Sequence, residues 1–324
     1  MIQFNEISSP EELQSAVKDM HDVIYRDGID FVKQGLPQEW ADQLNQDVST
    51  EFMRALMVPG GTAARGNGRF YFEPYAERTP GFIDLATHVA VTGLSKSMFG
   101  DDYRIVEWGS DLPLPGADAQ RPHRDFPMPE VTVLQRRLVS VAINASLIDV
   151  EPNNAPFQYV KGSQFDEGSS FIGNEGEPDT IGGMFPDEEE REYYASKMQT
   201  VLGMRGNFSV RSGLMVHGGS ASEVNNSRLR PTVILGVVSP EDRAWVSGPE
   251  ELKERNDDHV PRVRASEEYI SYLAKNQPDL LAHLSYEVVS DTTANLPPLK
   301  THHDFEGLIM GNDPVVMKKI RENK

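Results

Sequence analysis

Over the first hundred residues, apolar positions recur every three to four places, the spacing of helices with one buried face. Leu13, Val17, Met20 and Ile24 set out such a face behind Ser9-Pro10-Glu11-Glu12. Ser9 stands as the cap, Pro10 suits the first turn, and Glu12 completes a capping box. Gly28 ends this predicted helix, and 29–33 reads as a short strand. A second helix is predicted over 37–57, with Trp40, Leu44, Val48, Phe52 and Leu56 four apart as core anchors. A third is predicted over 80–100, closed by Gly100. Between them the Gly-rich run "VPGGTAARGNGRFYFEP" leads into an aromatic strand. A phosphate cradle needs a helix directly after its glycines, so Asn67-Gly68 reads as a turn instead.

From Tyr103 to about Pro240 the texture changes to short β-rich runs separated by turn residues. They are "YRIVEWG", "RRLVSVAINASLI", "FQYVKGS", "GNFSVRSGLMVHGG" and "RPTVILGVVS". Short strands without long intervening helices predict an antiparallel sandwich or barrel. One stretch interrupts it: 166–194 is acidic, Gly-rich and poor in strand pattern. Gly168, Gly173, Gly176, Gly182 and Gly183 would serve as hinges, and Phe171, Ile172, Ile181, Met184 and Phe185 are more apolar than a solvated loop needs. The segment is expected to be a lid, a disordered acidic insertion being the plainer alternative. Beyond 240, "SEEYISYLAKN" and "PDLLAHLSYEVV" are candidate helices, followed by the irregular "HHDFEGLIMGNDP". The expected organisation is a single domain over 1–324: helical support over 1–100, a β core over 101–240 carrying the insertion, and a helical extension over 241–324.

Composition narrows the function. The formal net charge of −19 repels phosphate backbones, so nucleic acid is an unexpected partner. The sequence has no cysteine, which removes disulfides, Cys-ligated zinc and a thiol nucleophile. No run of 18 apolar residues would span a membrane, and no signal-peptide pattern is visible, so the expected compartment is the cytoplasm.

Chemistry enters at "RPHRDFPMP", residues 121–129. His-x-Asp alone is weak, since about half a match is expected by chance in such a chain. Two occur, His123-Arg124-Asp125 and His302-His303-Asp304. A two-histidine, one-carboxylate iron site needs a second histidine downstream. None follows Asp304, whereas His217 follows Asp125 at the end of the predicted strand "GLMVHGG". Alternation with period two puts His123 and Asp125 on one face and points Arg124 away.

The order H-x-D, a turn ending in Gly-Ser, a distal histidine and then an arginine before a final strand resembles the phytanoyl-CoA dioxygenase family. Here the parts read "QRPHRD", "NNAPFQYVKGSQF", "GLMVHGGS" and "NNSRLRPTVILGVV", and "YRDGIDFVKQGLPQEWADQL" is similar to that family's first strand and helix. Ala155, Lys161 and Gln164 depart from its usual Gly, Pro and His.

The resemblance implies a mainly β protein with flanking helices around a double-stranded β-helix, the jelly-roll and cupin-like core. It implies an Fe(II)- and 2-oxoglutarate-dependent dioxygenase using O2, with ascorbate as a reductant, acting on a small-molecule substrate in natural-product or other metabolite tailoring. His123, Asp125 and His217 would be the iron ligands and catalytic centre. An arginine would pair with the far carboxylate of 2-oxoglutarate, Arg230 being favoured over Arg228 because it stands at the strand start. Gln120 would touch the cosubstrate or else be a surface glutamine. The carboxylate of Asp125, replaced in related halogenases, implies oxygen insertion or desaturation. The rival readings are a cupin-like metal enzyme without 2-oxoglutarate and a non-catalytic small-molecule-binding barrel.

Overall fold

The computed structural model describes residues 4–58, 61–167, 171–172, 180–226, 228–239 and 263–290. The helix behind Ser9 is Pro10–Asp27 (α1), and Ser9 Oγ accepts from the Glu12 amide at 3.1 Å. Glu12 reaches past Ser9 and takes the amide and hydroxyl of Ser8 at 2.8 and 2.9 Å, so the expected capping box is displaced by one residue. Gly28, with φ of 85°, closes α1 in left-handed backbone that glycine adopts without a Cβ clash. Strand β1 (Ile29–Val32) and helix α2 (Gln38–Leu56) follow. Leu44, Val48 and Phe52 are buried, but Leu56 is exposed and Ala55 takes the core position. Four residues advance about 400° around a helix, so a four-spaced row drifts about 40° per step and its last member leaves the buried face.

The Asn67-Gly68 turn joins β2 (Ala63–Ala64) to β3 (Arg69–Phe72). The third predicted helix is two, α3 (Phe82–Ala86) and α4 (Val89–Phe99). His88 divides them. Its Nδ1 accepts from the Ala90 amide at 3.1 Å and caps α4, while Nε2 meets the Gly35 carbonyl at 3.1 Å. The β region then runs through β4 (Arg104–Pro113), β5 (Met128–Pro129), the short α5 (Glu130–Gln135), β6 (Ser140–Ser146) and β7 (Phe157–Tyr159). The segment 166–194 is not bare loop. It holds β8 (Phe171–Ile172), β9 (Thr180–Ile181), β10 (Phe185–Pro186) and the start of α6 (Glu188–Lys197), which Asp187 caps. Strands β11 (Gln199–Thr200), β12 (Phe208–Ser212), β13 (His217–Gly219) and β14 (Thr232–Val238) complete the core. Last come β15 (Val263–Ala265), α7 (Glu267–Asn276), α8 (Pro278–His283) and β16 (Tyr286–Val288). The second predicted C-terminal helix therefore stops at His283, and its remainder pairs as a strand in parallel with β15.

Seven strands form one antiparallel sheet in the order β1-β12-β6-β14-β4-β3-β2. A smaller sheet runs β11-β7-β13. Alternation gives the large sheet two unlike faces. Val233, Leu235 and Val237 of β14, with Trp108 and Ile143, join Met20, Leu44 and Leu94 of the helices in the main core. The opposite face presents Glu107, Asp111, Asn144, Arg211 and Thr232 to a cavity that Phe157 and His217 of the smaller sheet also line. A bulge in β4 pairs Gly236 with Glu107 but Val237 with Ile105. The extra residue, Val106, keeps Ile105 and Trp108 on the helix side while Glu107 faces inward.

Among the described residues Trp108 is the largest fully buried side chain. Its ring stacks on Phe82 at 4.8 Å, and Nε1 donates to Thr79 Oγ1 at 3.3 Å. Trp108→Ala is expected to destabilise the fold by about 3–5 kcal/mol in urea denaturation, the cost of a large core cavity.

Candidate metal centre

His123 and His217 exchange a reciprocal pair of backbone hydrogen bonds, 2.9 and 2.8 Å long. This bridge extends the smaller sheet and brings two distant segments to one mouth of the barrel. The Asp125 amide is fixed in turn by the Gly213 carbonyl at 2.9 Å. The imidazole centroids lie 4.4 Å apart, and Asp125 Oδ1 is 3.3 Å from His217 Nε2. One ligand atom from each of His123, Asp125 and His217 falls within 4.8 Å of the others.

The donor set fits a divalent first-row ion. His123 Nδ1 lies 2.7 Å from the Arg121 carbonyl, and His217 Nδ1 lies 2.8 Å from the Met215 carbonyl. A carbonyl only accepts, so each Nδ1 holds the proton and each Nε2 offers a lone pair. Burial, with the adjacent His217, holds His123 well below the usual imidazole range, which keeps it neutral. Burial alone would raise Asp125, but the charge of Arg211 beside it outweighs this and holds the carboxyl far below the usual carboxylate range. Two neutral imidazoles and one carboxylate are the set that suits non-haem Fe(II).

Sequence reasoning missed Arg211. Its Nη1 donates to Asp125 Oδ2 at 2.6 Å, its Nε donates to Asn144 Oδ1 at 3.0 Å, and the guanidinium lies 5.5 Å from the Phe157 ring centre. With Oδ2 held, Oδ1 is the oxygen turned to the histidines. The available sign was the alternation of "FSVRS", which sets Arg211 opposite the core-facing Val210, but its partner is 86 residues away.

Arg124 does point away from the three ligands, yet inward rather than to solvent. It is fully buried, with its guanidinium 4.2 Å from the Phe171 ring centre and Nη2 on the Asp166 carbonyl. Burial draws it down to about 10, so it remains a cation. Phe171, Met184 and Phe185 are buried, and the Arg124 amide bonds the Met184 carbonyl at 2.9 Å. The described part of 166–194 is thus packed onto the His123 segment.

Also on the cavity wall, Arg230 is buried, bonds Thr232 Oγ1, and sits 3.8 Å from Asp111 Oδ2. Burial and the like charge of Arg69 draw it down to about 10, still protonated at neutral pH. Arg69, a second residue the sequence did not flag, is fully buried and donates to Asp111 Oδ2 at 3.0 Å and to the Ser220 carbonyl at 2.9 Å. Arg228 is exposed and does not line the cavity. Gln120 does line it, and its Oε1 accepts from the Gly219 amide at 2.8 Å, so it is no surface glutamine. The cavity, about 400 Å³, holds Gln120, Arg69 and Arg230 on the same wall system as the three ligands. His302, His303 and Asp304 lie outside the described residues.

The departures from the family pattern act locally. Ala155 takes φ of 59°, the left-handed backbone that favours glycine. Lys161 pairs with Asp27 at 3.1 Å. Gln164 is buried and caps the end of α1, donating to the carbonyls of Ile24 and Tyr25 at 3.3 and 2.9 Å.

The phytanoyl-CoA dioxygenase family matches residues 8–229. Among solved structures, the epimerase SnoN in complex with Fe3+, alpha ketoglutarate and nogalamycin RO is similar at 16% identity and TM-score 0.51, covering 69% of this chain and 84% of that one. EctD from S. alaskensis, with 2-oxoglutarate and 5-hydroxyectoine, is similar at 16% identity and TM-score 0.51, covering 69% and 76%. The alpha ketoglutarate dependent carbocyclase SnoK from nogalamycin biosynthesis is similar at 13% identity and TM-score 0.51, covering 74% and 86%. At these identities the likeness is one of fold. A search of the curated proteins found no match.

Arg211→Met frees Asp125 Oδ2 and removes the cation that keeps the carboxylate oriented. The expected outcome is a 10–100-fold loss of Fe(II) affinity in anaerobic calorimetric titration, the usual cost of losing a partner that orients a ligand.

Proposed function

Since the chain belongs to the phytanoyl-CoA dioxygenase family, we propose that it is a non-haem Fe(II)- and 2-oxoglutarate-dependent dioxygenase that oxidises a small molecule in natural-product or other metabolite tailoring. The observation that carries this is the placement of the buried Arg230 on the cavity that also presents His123, Asp125 and His217. In this reading the three residues hold Fe(II), which together with 2-oxoglutarate supplies the activation of O2 when bound. Arg230 receives the far carboxylate of 2-oxoglutarate, since a planar guanidinium offers two parallel donors. Asp111 and Thr232 hold that guanidinium in place, and Arg69 adds positive charge beside it. Gln120, its oxygen committed to Gly219, has its amide nitrogen left for the cosubstrate.

The carboxylate at Asp125 favours hydroxylation, desaturation or a related oxidation over halogenation. Buried cations facing the cavity weigh against a metal enzyme that uses no carboxylate cosubstrate and against a non-catalytic barrel, because an unused buried charge is costly. SnoN, SnoK and EctD are named for complexes or pathways of small molecules, and that supports a tailoring role. Among the described residues no helix is long and apolar enough to cross a membrane. The cysteine-free sequence suits the cytoplasm as the place of action, and 1–324 is read as one oxygenase domain.

With Fe(II) and O2 the purified protein is expected to convert 2-oxoglutarate to succinate, measured by chromatography. His217→Ala should abolish this, while His302→Ala should leave it nearly intact; the reverse pattern would overturn the ligand assignment.

Arg230→Ala should weaken 2-oxoglutarate binding by about 2–5 kcal/mol, as for other buried charge pairs. Arg228→Ala should change it by less than about 0.5 kcal/mol, as an exposed substitution does. Calorimetric titration of 2-oxoglutarate separates the two.

A further inference from the structure

The large sheet carries a third polar cluster on its cavity face, which neither the metal ligands nor the Arg230 end uses. Tyr71 Oη lies 2.8 Å from Glu107 Oε1 and 3.0 Å from Glu73 Oε1. Two strand-interior glycines leave the space for it. A Cβ on Gly109 would stand 2.4 Å from Tyr71 Oη, and one on Gly236 would stand 2.7 Å from Glu107 Cβ and 2.9 Å from its Oε2. Glycine inside a strand marks such close approach. The cluster is therefore built into the sheet.

A phenol has a single proton, so it can donate to only one of two carboxyl groups at full strength. Burial, then the charge of Glu107, pushes the Tyr71 hydroxyl well above its usual range, so it keeps that proton. Burial pushes Glu73 up to about 7. Tyr71 lies between the two carboxyl groups as hydrogen-bond donor, and Arg264 Nη2 lies 3.9 Å from Glu73 Oε2 on the side away from Tyr71 Oη's contact with Oε1. Glu107 is thus an acceptor at the cavity wall.

Glu107 and Tyr71 line the cavity. Among the described residues, Tyr71 supplies the hydrogen bond that Glu107 receives, and it is made to Oε1. Oε2 takes none. The other cavity carboxylates are committed, Asp125 to Arg211 and Asp111 to Arg69. Burial, first, and the negative charge of Asp125 act against ionised Glu107, with the Tyr71 bond, Arg65, whose guanidinium is 4.4 Å from the Tyr71 ring centre, and Arg211 acting for it, and the net effect is still to raise it. A further cation on the ligand side would relieve the burial and the repulsion, which a neutral donor would do only in part. Aromatic rings of Phe31, Phe157 and Tyr159 line the same space, and ring faces attract ammonium groups.

We propose that Glu107, positioned by Tyr71, is the substrate anchor of this site and that the substrate carries a protonated amine. This rests on the oxygenase reading above, since the ligand is taken to be the molecule oxidised at the metal.

The test uses the whole protein loaded with Fe(II) under argon, titrated with benzylamine, benzyl alcohol and benzoate, with and without 2-oxoglutarate. Benzylamine should bind at least tenfold more tightly than the other two. Glu107→Gln should remove that preference, and the charge-conserving Glu107→Asp should restore part of it. Equal binding of benzylamine and benzyl alcohol to the wild type, or a preference for benzoate, would overturn the proposal even if no variant folds. An unchanged benzylamine preference in Glu107→Gln would do so as well. A wild type that prefers benzylamine but binds no 2-oxoglutarate would overturn the oxygenase reading and leave the amine site standing.

Discussion

The site depends on two backbone hydrogen bonds between His123 and His217. They lock the relative height of the two segments, and each histidine then fixes its own ring through a carbonyl two residues earlier, Arg121 and Met215. Ring position, tautomer and lone-pair direction all follow from main chain. Because backbone bonds place them, the two imidazoles are prearranged before an ion arrives, and ordering them takes little of the binding energy. The anchoring continues outward. Ser163 Oγ accepts from the Val216 amide at 2.8 Å and donates to the Val160 carbonyl at 2.7 Å, tying the β13 entry to the turn after β7. Gln164, next in that turn, holds the end of α1.

Burying so many charges on one sheet face is stable only when they compensate one another. Arg211 answers Asp125, and Arg69 answers Asp111. The same alternation that builds the apolar face under α1, α2 and α4 delivers these side chains to the cavity. An ordinary sandwich would fill this space with aliphatic residues from both sheets. Here the helices complete the core on the outer face, which lets the inner face be given to polar chemistry.

Much of this was legible in the sequence. The 3.6-residue pattern located α1 and α2, the short β runs located β4, β6, β7, β12, β13 and β14, and His-x-Asp with a distant histidine located the three residues that converge. Arg230 was separable from Arg228 only by its nearness to the strand start; equal parity predicted the same facing for both, but both precede β14 (Thr232–Val238), where alternation does not apply, and only Arg230 is buried. The break at His88 was hidden because a side-chain cap, not a Gly or Pro, makes it. Arg211, Arg69 and Glu107 were hidden for another reason. Each is one polar residue in a strand, and its meaning comes from a partner on another strand whose register no local spacing encodes.

The charges at the two ends of the cavity also explain why a dicarboxylate suits it. At the metal end the charge of Asp125 is answered by Arg211, so that pair does little to offset a divalent ion. At the far end Arg69 and Arg230 face one carboxylate, Asp111, which leaves one positive charge over. An anion bound at only one end would leave the other uncompensated in a buried cavity, where such an imbalance is expensive. A molecule with a carboxylate at each end reduces both at once. Arg228, exposed and outside the cavity, adds nothing to this balance. In the proposed reading, selectivity for 2-oxoglutarate over a monoacid follows from one carboxylate meeting the metal and the other meeting Arg230, whose charge Asp111 offsets only in part.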